Sequence, residues 1–330
     1  MTSTIAAQYR GCLLGLAVGD ALGAPIEFMS IEQIKSTYGP DGLTGPAGKL
    51  EYTDDTQMSL ATAVGCLQAY AQQLEQGFAD PVAVVYDRYL DWLKSQDHPA
   101  QRRAPGNTCL SALASGKQGR IAGPINNSKG CGGVMRTAPV GMAFEPGPRG
   151  EAFRRGAEFA AITHGHPSGY LTAGFLAEMI AHVVRGRDLR QAIDLSTRVL
   201  IGYDGHEETL GKIVQARELA AGSTGVEQAI AELGGGWVGE EALAIGLYCA
   251  LKYPGDWRKA VLAAVNHSGD SDSTGCICGA ILGASLGLNA IPGEWVRGIE
   301  NGAGIMRIAD DMYRAFQKHE PPLRDDYPGN

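Results

Sequence analysis

Two short acidic segments hold the clearest chemistry in this sequence. In Tyr52-Thr53-Asp54-Asp55-Thr56-Gln57, two adjacent carboxylates and a hydroxyl precede the apolar run Met58 to Leu67. In Asn266-His267-Ser268-Gly269-Asp270-Ser271-Asp272-Ser273-Thr274, two carboxylates stand two residues apart among hydroxyls, again before an apolar stretch. Each segment reads as the first turn of a helix. Thr53 or Asp54 would cap free amides there, and acids suit the positive end of the helix dipole. Capping alone does not require the second pair of acids. The side chains offered are oxygen donors without the Cys or His spacing of zinc sites, which suits Mg²⁺, Mn²⁺ or Ca²⁺. If the two helix starts meet, Asp54, Asp55, Asp270 and Asp272 converge, and without cations some must hold protons. Two divalent ions would balance them, and a metal pair of that kind is a hydrolytic arrangement.

Other residues give weaker signals on their own. Ser128 to Gly133 is a loop of small residues leading towards a helix. Its backbone N–H groups could cradle a diphosphate, with Lys129 or Arg136 adding positive charge; a flexible turn is the plain alternative. Thr163-His164-Gly165-His166-Pro167 has two histidines but no third ligand nearby, so loop and cap roles are the ordinary reading. Glu27 reads alone as a surface carboxylate after a helix end, and Asn107 as a cap for the run beginning at Thr108. Trp237, after Gly234-Gly235-Gly236, is either a core residue or a ring for stacking on a base. No spacing marks a nucleophilic pair with histidine. Cys131 is dispensable to the chemistry, and Cys276 and Cys278 read as packing residues.

The elements that must position these groups are helical. Tyr86, Tyr89, Leu90 and Leu93 follow the i, i+3, i+4, i+7 rule, as do Phe175, Leu176, Met179, Ile180 and Val183, and Leu243, Leu247, Ala250 and Leu251. Strict alternation is scarce. Gly and Pro punctuate the chain at 38–48, 99–106, 116–133, 145–150 and 234–236. An all-α bundle of many short helices in one domain over 1–330 is expected, with 320–330 as a flexible tail. Glycine recurs every fourth residue at Gly11, Gly15, Gly19 and Gly23, and again at Gly275, Gly279, Gly283 and Gly287. A glycine inside a helix costs about 1 kcal/mol against alanine, so these stripes predict two central helices in close backbone contact.

Composition narrows the class of partner. The chain has 330 residues, 44% of them hydrophobic, and 46 glycines, without repeats or polar tracts. A net charge of -8 excludes a general nucleic-acid binder, which needs a basic footprint, and disfavours anionic lipid. No apolar stretch reaches the ~20 residues of a membrane span. The run Cys12 to Val18 ends beside Asp20 and lacks the basic start of a signal peptide. Seven scattered cysteines imply reduced thiols and a cytoplasmic protein, expected to be a monomer.

Five segments occur in one order: Gly15 to Gly23, Thr53-Asp54-Asp55, Gly130 to Arg136, Thr163-His164, and Gly269 to Ser273. With them, residues 9 to 300 resemble the ADP-ribosylglycohydrolase family. The resemblance implies a compact orthogonal helical bundle around a binuclear Mg²⁺ or Mn²⁺ cleft. It makes Thr53, Asp54, Asp55, Asp270, Asp272 and Ser273 metal ligands, with Ser273 where many members have Thr. It implies catalytic roles for Asp55 or Asp270 as base and for Glu27 as proton shuttle or gate. It assigns Asn107, Ser128, Gly130, Gly132, Gly133 and His164 to substrate. The implied reaction is hydrolysis of the N-glycosidic bond between ADP-ribose and a protein arginine. Serine, acetyl or nucleobase linkages are alternatives, as is an immunity-type protein that blocks an ADP-ribosyltransferase toxin.

Overall fold

The computed structural model describes residues 4–148 and 150–322, so the tail expected over 320–330 lies mostly outside the described residues. The first eight helices are α1 (Ile5–Gly23), α2 (Ile31–Tyr38), α3 (Asp54–Gln76), α4 (Pro81–Ser95), α5 (Asn107–Ala114), α6 (Ala138–Ala143), α7 (Ala152–Ala161) and α8 (Pro167–Val183). The rest are α9 (Leu189–Leu200), α10 (Glu207–Ala221), α11 (Val226–Leu233), α12 (Gly239–Lys252), α13 (Trp257–Val265), α14 (Ser271–Leu286), α15 (Gly293–Gly298) and α16 (Gly302–Lys318). Among the described residues no β-strand forms, only isolated bridges such as Gly130–Val238. The three periodic segments fall in α4, α8 and α12, as their spacing predicts. Among the described residues no single helix is long and apolar enough to cross a membrane; the run Cys12 to Val18 is the buried middle of α1.

The two glycine-striped helices, α1 and α14, form the centre and run antiparallel. Gly11, Gly15 and Gly19 face Gly283, Gly279 and Gly275. A Cβ at Gly15 would stand 2.3 Å from the Gly279 carbonyl oxygen, and one at Gly279 would stand 2.1 Å from that of Gly15. The helices therefore touch backbone to backbone, and this close approach offsets the poor helix propensity of glycine. Gly287 differs from the expected stripe: it follows α14 with φ +79° and ends the helix. Trp257 braces the crossing, its Nε1–H donating to the Gly279 carbonyl at 3.1 Å. Helices α12, α13 and α16 pack around the pair, and α6, α7 and α8 form a second group against α12 and α14.

The antiparallel crossing sets the C-terminal end of α1 beside the N-terminal end of α14. A Cβ at Gly23 would lie 2.3 Å from the carbonyl oxygen of Ser271. The acids of the second motif are thereby held against the end of α1.

Candidate active site: a buried carboxylate cluster

Helix α3 begins at this same crossing. Asp20, fully buried near the end of α1, accepts hydrogen bonds from the Thr53 amide (3.0 and 3.1 Å), the Thr56 amide (3.0 Å) and the Thr56 hydroxyl (2.5 Å). Its carboxylate satisfies amides at the α3 N-terminus that have no intrahelical partner, and so pins the first acidic motif to α1. Asp20 belongs to none of the sequence-predicted site residues. Its signal was an acid inside an otherwise apolar helix.

Thr53 is the N-cap of α3 and accepts from the Asp55 amide at 3.3 Å. Asp270 is the N-cap of α14 and accepts from the Ser273 amide at 3.3 Å, while Asp272 accepts from the same amide at 3.0 Å. The two helix starts meet: Asp54 and Asp55 of α3 line one cavity with Asp270, Asp272 and Ser273 of the α14 start. Glu27, which follows the short 3₁₀ turn Ala24–Ile26, joins them. One carboxylate oxygen from each of Glu27, Asp270 and Asp272 lies within 4.8 Å of the other two.

The four motif carboxylates, Glu27 and Asp20 are buried, and their proton affinities rise accordingly. Burial, then Asp272, pushes Asp20 up to about 7. Burial, then Asp272, Asp54 and Asp20, pushes Glu27 up to about 9. Asp54, Asp55 and Asp270 stand well above the ordinary carboxylate range, each first through burial and then through its acidic neighbours. Asp54 accepts from the Gly106 amide at 3.1 Å, but Asp55 Oδ2 is buried without a partner. An orphaned buried carboxylate oxygen is costly. Facing other oxygen donors, it has the chemistry of a ligand to a hard divalent cation.

These acids form one wall of a cavity of about 300 Å³. Asn107, Gly130, Gly132 and His164 line it together with Asp54, Asp55, Asp270, Asp272 and Ser273. Asn107 opens α5 and is not its cap, which is Gly106. Two of the expected substrate residues sit behind the wall. Ser128 Oγ is 3.1 Å from Thr108 Oγ1 and accepts from the Gly130 amide, while Gly133 packs on Gly169 of α8. Gly132 must be small, since a Cβ there would reach Cys109 Sγ at 2.9 Å and His164 Cε1 at 3.0 Å.

Among the described residues lining the cavity there is no lysine or arginine. Lys129 turns outward to ion-pair with Glu208 and Glu240, and Arg136 is fully buried behind His164. His166 caps α8, its Nδ1 accepting from the Ser168 amide at 3.1 Å. Cys131 has a contact that its sequence context did not suggest: its thiol donates to Asp270 Oδ2 at 2.8 Å. Trp237 is no core residue. It is 45% exposed and stacks on Phe28, itself 74% exposed, with ring centroids 5.7 Å apart, both at the cavity.

The profile of the ADP-ribosylglycohydrolase family matches residues 1–322, and the chain belongs to that family. It is 27% identical to the ADP-ribosyl-[dinitrogen reductase] glycohydrolase of Rhodospirillum rubrum, over 87% of this chain and 88% of the relative. Human ADP-ribosylhydrolase ARH3 is 24% identical, with 94% of each chain covered. The ADP-ribosylarginine hydrolase Tri1 of Pseudomonas putida is 25% identical, over 94% of this chain and 79% of the relative. A solved structure described as an ADP-ribosylglycohydrolase-related protein complex superposes with a TM-score of 0.65 at 29% identity, covering 94% of this chain and 98% of that one.

Proposed function

We propose that this protein is a metal-dependent ADP-ribosylhydrolase that removes ADP-ribose from modified arginine on proteins. The observation that carries the reading is the convergence of the α3 and α14 acids on one cavity, in a chain of this family. Thr53, Asp54, Asp55, Asp270, Asp272 and Ser273 would hold two divalent cations, Mg²⁺ or Mn²⁺. The buried oxygen donors and the orphaned Asp55 Oδ2 support that fit. Bound cations would supply charge neutralisation and Lewis acidity.

In the reaction, water adds its oxygen to C1″ of the distal ribose and the C1″–N bond breaks with both electrons going to nitrogen. The departing guanidine takes up a proton. Asp55 or Asp270 would accept the proton from water, both lining the cavity where it would be held. Glu27, whose burial favours the protonated form, is suited to hand a proton to the leaving side. Gly130, Gly132, Asn107 and His164 would contact the ADP-ribose, with positioning as their main contribution.

The arginine linkage is supported at the cavity mouth. Phe28 and Trp237 present exposed aromatic rings there, a setting that attracts a planar cation. The test is parallel incubation with arginine-, serine- and nucleobase-linked ADP-ribose, with and without Mg²⁺ or Mn²⁺. Metal-dependent release from arginine in preference to the others is expected. Preference for another linkage would overturn the arginine assignment, and release from none would overturn the hydrolase reading.

A further inference from the structure

Arg136 is a fully buried arginine whose hydrogen bonds, among the described residues, reach no carboxylate. Its guanidinium lies over the Tyr89 ring at 4.3 Å and donates through Nη2 to the Phe159 carbonyl (3.2 Å) and to Thr163 Oγ1 (2.6 Å). Thr163 Oγ1 is in turn 2.8 Å from His164 Nδ1. We infer that Arg136 and Thr163 are positioning residues that fix His164 as the Nε2–H tautomer, so that the cavity wall presents a hydrogen-bond donor to an anionic part of the ligand.

One hydroxyl links the buried cation to the imidazole. Thr163 has a single proton to donate. A lone pair of its oxygen is taken by the Arg136 cation, which polarises the O–H and makes it a better donor. The nearer acceptor for that proton is His164 Nδ1 at 2.8 Å, against the Ala160 carbonyl at 3.5 Å. The imidazole cannot be doubly protonated there: burial, then the charge of Arg136, pushes His164 down to about 3. A neutral ring that accepts at Nδ1 carries its proton at Nε2. Nε2 lies at the loop face of the cavity, 3.3 Å from where a Cβ of Gly130 or Gly132 would stand. With no lysine or arginine among the described lining residues, this donor joins the loop amides and uncharged side chains such as Asn107 in what the chain itself offers to a phosphate oxygen.

The choice of ADP-ribose as probe rests on the proposed function; the tautomer does not. Long-range ¹H–¹⁵N correlation spectra of the ¹⁵N-histidine-labelled protein at neutral pH should show His164 as Nε2–H, a readout that needs no substitution. Thr163→Val should shift the ring towards Nδ1–H and weaken ADP-ribose binding, read by calorimetry, about tenfold. Thr163→Ser should restore both. An Nδ1–H ring in the parent protein would overturn the inference, as would Thr163→Val retaining parental tautomer and affinity. If the parent binds no ADP-ribose, the ADP-ribosyl reading of the cavity fails while the tautomer measurement still decides this one.

Discussion

Replacing Gly15 by alanine adds one methyl group at the centre of the molecule. The new Cβ would stand 2.3 Å from the Gly279 carbonyl oxygen and 3.1 Å from Trp257 Nε1, where ordinary contact begins at 3.4 Å, so the helices must part by about 1 Å. Neither neighbour is the free end of a flexible chain: one is backbone, and the other is held by its bond to Gly279. Overpacking of this kind costs about 1–3 kcal/mol, and the rigidity of both neighbours puts this site at the upper end. Alanine returns about 1 kcal/mol of helix propensity, leaving a net loss of about 2 kcal/mol. With a urea m-value of about 3 kcal/mol/M, the unfolding midpoint should fall by about 0.7 M. Gly211→Ala is the matched control, because Gly211 lies within α10 and a Cβ there meets nothing within 4 Å. Propensity alone should raise its midpoint by about 0.3 M. A Gly15→Ala midpoint at or above the parental value would refute the backbone contact between α1 and α14.

Metal removal should make stability depend on pH with a definite sign. Raised carboxylate pKa values mean that the folded state binds more protons than the unfolded one, so metal-free stability is greatest at acidic pH and is lost as pH rises towards the folded values near 7 for Asp20 and 9 for Glu27. The slope is up to about 1.4 kcal/mol per pH unit for each titrating group; melting curves from about pH 5 to 8 should show it in EDTA and lose most of it in saturating Mg²⁺. Asp55→Asn should abolish turnover yet stabilise the metal-free protein near pH 8 by about 1–3 kcal/mol, since it removes a buried carboxyl that folding must hold protonated among acidic neighbours; destabilisation in EDTA would contradict that. Asp55→Ala and Asp270→Ala should each abolish ADP-ribose release, and the double variant should lose no more than either single one. Cys131→Ala removes one donor to Asp270 and should lower kcat by no more than about tenfold; complete loss in steady-state assays would give the thiol a larger part than the geometry does.

What was legible in the sequence is what local pattern encodes. The helix starts at Thr53 and Asp270 announce themselves through caps and acids within a few residues, and a four-residue period in glycine is a direct record of one helix face. The long-range partners left no such trace. Asp20 acts by capping α3 across 33 residues of chain, and only its oddity in an apolar helix marks it. Lys129 looked like a phosphate ligand until the fold brought Glu208 and Glu240 to it. Phe28 and Trp237 stack although they lie far apart in the chain. The glycine loop reads as one cradle in sequence, but the turn at Cys131–Gly133 sends Gly133 into α8 while Gly130 and Gly132 stay at the cavity.

The central claim is that cations held by the α3 and α14 acids drive removal of ADP-ribose. The most direct test titrates the metal-free protein with Mn²⁺, following free Mn²⁺ by electron paramagnetic resonance and ADP-ribose release from a modified arginine peptide in the same samples. Two bound ions per chain are expected, with release rising as they bind and absent in EDTA. Full release in EDTA, or bound Mn²⁺ that Asp55→Ala and Asp270→Ala leave unchanged, would contradict it.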